Sequence, residues 1–149
     1  MNAITPNEQH SSEKANRIAK ILIGLGILAS VCFIGSFYFM LRAPKIVIQE
    51  NALFISGMYG QTIPLNDIRS VQLEESFPPG IRTNGVGGIG GIRKGHFNLK
   101  GIGPCMVYTR TTEAPFIYLT KTDGKVTIIN QSNSGETEEL YRKLKTHIK

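Results

Sequence analysis

Tryptophan is absent from the 149 residues and cysteine occurs only twice. Cys32 falls in an apolar run and Cys105 opens an alternating segment. No disulfide framework is therefore available, and Cys105 reads as a small buried residue. Histidine occurs three times, and no second ligand stands at zinc spacing from any of them. Carboxylates are also scarce, with 11 Asp and Glu against 17 Lys and Arg. Glu74 and Glu75 are neighbours, which on a strand puts them on opposite faces and forms no carboxylate pair. Ser56, Ser70 and Ser76 have no His at a motif-like spacing. These shortages leave no catalytic residue, no metal set and no cofactor to expect.

Charge is missing altogether from residues 21–41, "ILIGLGILASVCFIGSFYFML". About 20 apolar residues in a helix cross a bilayer core, so this run is expected to be a transmembrane helix spanning 18–42. Lys20 and Arg42 bracket it, and Tyr38 lies near one end, where an amphipathic ring suits the headgroup layer. Signal peptides have a shorter apolar core and a small-x-small cleavage site. "SFYFMLRAPK" offers no such site, so the segment reads as an uncleaved anchor. Residues 1–17 are polar and aperiodic, the composition of a disordered tail. Lys14, Arg17 and Lys20 precede the span, and Arg42 and Lys45 follow it. Three against two places the N-terminus in the cytoplasm and the C-terminal part outside.

The net charge of +6 is spread thinly. Residues 43–149 hold 13 basic and 9 acidic side chains, a net of +4. That balance lacks the clustered basic and aromatic residues of nucleic-acid surfaces, and no nucleic acid is expected as a partner. The hydrophobic pattern here has period two with frequent turns, the signature of strands. The segments are "KIVIQ", "ALFISGM", "QTIPL", "IRSVQLEE", "GHFNLKG", "CMVYTR", "PFIYLTK" and "KVTIINQ". Ile68, Val71 and Leu73 slip phase once, which marks a bulge. Asp123-Gly124 is a dipeptide favoured in two-residue hairpin turns. The period then changes. In "NSGETEELYRKLKTHIK", Leu140, Tyr141, Leu144 and Ile148 share a helical face, and Asn133 with Glu136 fits a capped start. Glutamates lead and basic residues close the segment, as the helix dipole favours. The plan is about seven antiparallel strands closed by one helix at about 134–148.

Between two of these strands lies "GIRTNGVGGIGGIRKG", residues 80–95, with seven glycines. Gly85, Gly87 and Gly90 spell G-x-G-x-x-G. A dinucleotide fingerprint must open a helix after a strand, but Pro78-Pro79 precedes this one and a strand pattern follows. No G-K-[ST] occurs, so it is no Walker loop. The composition predicts a mobile connection with unshielded backbone N–H groups, flanked by Arg82, Arg93 and Lys94. Arg82, Gly87, Gly88, Gly90, Gly91, Arg93 and Lys94 are then the candidate site for an anion or a lipid headgroup. The competing reading is an enzyme or binder of a phosphorylated ligand using loop 80–95.

Four segments together resemble the bacterial pleckstrin-homology-like domains: "IVIQENALFISGMYG", "IPLNDIRSVQL", "RKGHFNL" and "ETEELYRKLK". The resemblance covers residues 43–149. It implies a mainly β fold, an antiparallel barrel or sandwich with one C-terminal helix, here preceded by a single transmembrane helix. It brings no catalytic residues. Phosphoinositide-binding members of the wider superfold carry basic residues on the first hairpin, whereas this chain has none between Lys45 and Arg69. The implied protein is a membrane-anchored, non-catalytic binding or scaffold module. It is held in the bilayer through residues 21–41, with a protein, peptide or anionic headgroup as partner.

Overall fold

The computed structural model describes residues 6–148 and divides at Met40 into two units. The first is a helix, α1 (Pro6–Leu41). It contains one stretch long and apolar enough to cross a membrane, Glu13–Phe39, with mean hydropathy 2.3. Its large apolar side chains from Ile21 to Phe39 are exposed, the surface expected of a helix whose solvent is lipid. Phe33 and Phe37, one turn apart, stack at 6.5 Å. The helix begins well before the apolar run. Of the polar tail expected at 1–17, residues 6–17 are helical; "EQHSSEKANR" contains no Gly or Pro to stop propagation from the apolar run. Residues 1–5 lie outside the described residues.

The second unit builds two sheets. The smaller is a meander of β1 (Ile46–Gln49), β2 (Ala52–Ile55) and β3 (Gln61–Pro64), paired in that order. Glu50 takes φ +52° in the first turn. A short 3-10 turn, Leu65–Asp67, leads into the larger sheet. Its strands are β4 (Ile68–Glu74), β5 (Gly80–Ile89), β6 (Ile92–Leu99), β7 (Gly103–Thr109), β8 (Phe116–Lys121) and β9 (Val126–Ile129). They lie in the order β4-β8-β9-β7-β6-β5. The expected bulge falls in β4, where pairing with β8 shifts between Ile68 and Ser70.

Three features correct the sequence reading. The described residues form nine strands rather than about seven, because all eight period-two segments pair and the glycine stretch supplies a ninth. Pairing is not wholly antiparallel, since β9 inserts beside β7 in parallel, with Cys105 opposite Val126 and Val107 opposite Ile128. The β8–β9 turn has three residues rather than two. Lys121 N–H donates to the Lys125 carbonyl, and Gly124 closes the loop at φ +82°, the three-residue form with a left-handed final residue.

Both faces of the large sheet are apolar. One packs Val71, Ile117, Leu119, Ile129 and Tyr108 against Ile46, Leu53, Ile55 and Ile63 of the small sheet. The opposite face packs Phe97, Leu99, Cys105, Val107, Phe116 and Ile128, with Phe77, Ile102 and Ala114 against them. The helix α2 (Ser134–His147) joins the first core through Leu140 and Leu144. Its start is the one expected: Asn133 Oδ1 accepts from Glu136 N–H at 2.9 Å, and Asn133 Nδ2 donates to Glu136 Oε1 at 3.0 Å. Buried Asn130 donates to the carbonyls of Thr111 and Glu113 and accepts from Arg110 N–H. Its amide is thereby satisfied and fixes the loop after β7.

Candidate functional site

The seven residues singled out in the glycine stretch are not a loop. β5 and β6 pair from Gly80 opposite Leu99 to Ile89 opposite Ile92, leaving Gly90-Gly91 as a two-residue turn. Both turn glycines have positive φ, +59° and +78°, as the twist-matched hairpin turn requires. Further down, Gly85 faces Gly95 across the ladder. A Cβ on Gly95 would lie 2.3 Å from the Asn84 carbonyl oxygen, so this approach admits only glycine. The expected mobile connection is thus an ordered hairpin, and the amides that face across it are taken up in the β5–β6 ladder.

The three basic residues also part company. Arg82 is exposed and its guanidinium donates to the Gly87 carbonyl at 3.3 Å. Arg93 lies over the ring of Phe77, 4.6 Å from its centroid. Lys94 points to the other side, is 1% exposed, and donates to the Arg42 carbonyl at 2.7 Å. Burial lowers its pKa. Lys94 is thereby separated from the two arginines.

What the fold does form is a cleft of about 840 Å³ between the start of β3 and the exposed half of the large sheet. Its floor follows from strand register. His96 on β6 pairs with Met106 on β7, and Met106 with Thr127 on β9. Side chains on a strand alternate, so Asn98 and Pro104, two residues along, share that face and also line the cleft. The wall is Tyr59, Gly60 and Gln61. It is held by three contacts: Tyr59 Oη to Asn84 Oδ1 at 2.9 Å, Gln61 Nε2 to Thr127 Oγ1 at 3.4 Å, and Tyr108 Oη to the Tyr59 carbonyl. Burial pushes the Tyr108 phenol well above its ordinary pKa, so it is a neutral donor. Tyr59 meets the His96 ring edge to face at 6.2 Å.

At one end stand Lys121 and Lys125, both lining the cleft and both within reach of Asp123, at 3.5 and 3.0 Å. The Asp123 carboxyl is held below its usual range, first by the Lys125 N–H and then by the Lys125 ammonium. No Asp or Glu lines the cleft. Among the described residues, no group of three His, Cys, Asp or Glu side chains stands close enough to hold a metal ion. Cys105 lies beneath the floor, buried, and its thiol is pushed up to about 11 by that burial.

The alternation in "GHFNLKG" puts His96 and Asn98 on one strand face, but nothing in the sequence marks either as part of a site. The other cleft residues carry no local signal, because they come from β3, β5, β6, β7, β8 and β9 and the turns beside them and meet only through register.

An apolar helix followed by a meander, a larger sheet and a closing helix defines a small β-sandwich module of the pleckstrin-homology type. The chain belongs to the bacterial PH domain family, whose family model matches residues 44–147. No curated protein and no solved structure matches it.

Proposed function

We propose that this protein is a single-pass, membrane-anchored, non-catalytic binding module whose site is the cleft walled by Tyr59–Gln61. The observation that carries this reading is the cleft itself. It falls in the 300–1,000 Å³ range of ligand pockets and sets the apolar Pro104 and Met106 among a few placed polar groups. His96 hydrogen-bonds to no nucleophile there, so the lining favours recognition over bond-making. The apolar stretch of α1 supports the anchoring. The hairpin geometry takes support from the alternative, a phosphorylated ligand held by residues 80–95.

The test uses the full chain in detergent micelles, with methyl labels on methionine. A fragment or peptide screen should contain binders that move the Met106 methyl resonance while leaving Met58, exposed and outside the cleft lining, in place. Asn98→Trp, which fills the cleft, should abolish that movement. Thermal stabilisation by ATP or NAD with an unmoved Met106 would instead favour the nucleotide reading.

A further inference from the structure

The cleft has a polarity along its length that narrows what it takes, and the inference rests on the reading of the cleft as a binding site. Two rows of side chains cross the large sheet on this face. The inner row is Thr127, Met106 and His96, adjacent on three neighbouring strands. The outer row, one alternation further along, is Lys121, Lys125, Pro104 and Asn98, all of which line the cleft. Lys121 and Lys125 are joined across the β8–β9 turn by a backbone hydrogen bond. Three inter-strand steps of about 4.8 Å make the outer row about 14 Å long, the reach of roughly four extended residues. Both ammonium groups stand at one end. The middle is apolar, Pro104 and Met106. The far end is amide and imidazole, Asn98, Asn84 and His96.

We propose that the cleft binds an acidic peptide segment in extended form. Its carboxylates meet Lys121 and Lys125, and an apolar side chain rests on Pro104 and Met106. Charge complementarity selects the acid, since two ammonium groups and no carboxylate line the cleft. The arrangement favours a peptide over a lipid surface. Membrane association through electrostatics draws on several exposed cations near one plane, whereas here Asp123 offsets one of two. Amide groups such as Asn84, Asn98 and Gln61 offer hydrogen bonds suited to a peptide backbone. Asp123 acts as a resident competitor, holding both lysines until a ligand carboxylate takes its place.

The experiment uses the full chain in micelles and two synthetic hexapeptide pools. One has adjacent glutamates followed two positions on by a randomised apolar residue; the other has glutamines in their place. The glutamate pool is expected to bind about fivefold to tenfold more tightly at low salt, the scale of two partly exposed charge pairs, and to move the Met106 methyl. The double variant K121Q/K125Q should erase the preference, and Asp123→Asn should increase it. The opposite signs separate charge recognition from damage to the fold. Equal affinity for both pools with Met106 moving would overturn the acidic preference and leave the cleft a binding site. An unmoved Met106 with either pool would sink both. Displacement of the glutamate pool by phosphatidylglycerol vesicles, but not by phosphatidylcholine vesicles, would replace the peptide with a lipid surface.

Discussion

Lys94 is a cation in a place that burial makes unfavourable, and among the described residues its ammonium donates to the Arg42 carbonyl alone. Arg42 is exposed, so water is positioned to replace the ammonium there. Removing the charge while keeping the volume should then cost little. Lys94→Met is expected to change stability by less than about 1 kcal/mol or to raise it, whereas Lys94→Glu should cost more than about 2 kcal/mol by burying an unpaired carboxylate. Chemical denaturation of the two variants checks this, and a large loss in Lys94→Met would show that the Arg42 contact is essential. The buried acids set the alkaline limit. Cys105 is raised to about 11 from an ordinary 9.0, and Tyr118 to about 12 by burial, Glu74 and then Cys105. A raised folded-state pKa means that the unfolded chain loses its proton first. Stability is therefore full below pH 9 and falls as pH rises through 11 and 12. Cys105→Ala should flatten the fall between pH 9 and 11, by about 1–2 kcal/mol, in urea titrations at stepped pH.

At the scale of elements, the glycine hairpin and α2 show where sequence carries structural information and where it does not. α2 was legible because its signals are local. Leu140 and Leu144 repeat at helical spacing, and Asn133 with Glu136 forms the start within four residues. Leu144 is fully buried, so Leu144→Ala should cost about 2–5 kcal/mol, and Asn133→Ala about 1 kcal/mol. β5 was not legible as a strand, although the second half of β6 was, because glycine adds no side chain to a period-two pattern. The one local clue was Gly90-Gly91 between Ile89 and Ile92, a two-residue turn signal. The parallel β7–β9 pairing was invisible for another reason: β8 lies between them in sequence, and only the assembled sheet brings them together. The cleft inherits that difficulty. For the hairpin, Gly95→Ala should destabilise by about 1–3 kcal/mol, since its Cβ would strike Asn84 and Gly85 backbone. Gly88→Ala has open space around it and only its φ of +95° to strain, so about 1 kcal/mol is expected. Because β5 is a sheet edge, alternate amides along it should exchange slowly and the intervening ones fast. Uniformly fast exchange would return the segment to a mobile loop.

At the scale of the molecule, the two units present different surfaces. Residues after Met40 hold their own two cores, and a fragment of residues 43–149 should fold alone and give a β-rich circular dichroism spectrum. The apolar stretch of α1 has no such core to join and suits a bilayer. If it spans, the side on which the cleft faces follows from basic residues near its ends, since these resist translocation and acidic ones count for little. Lys14, Arg17 and Lys20 stand before the apolar run, and Arg42 and Lys45 after it. By that rule, the excess of one predicts an N-terminus in the cytoplasm and a cleft outside. Ser132 is exposed, just ahead of α2, and makes a reporter. With Cys32 and Cys105 replaced and Ser132→Cys introduced, a membrane-impermeant maleimide should label intact cells. Labelling only after lysis would put the cleft in the cytoplasm. Moving the balance should move the protein: Lys14→Gln with Arg17→Gln leaves one basic residue before the run against two after it, and is expected to shift a measurable share of chains to the opposite orientation. A population that keeps its side through that change would show that the folded domain, not the flanking charge, decides how the helix inserts.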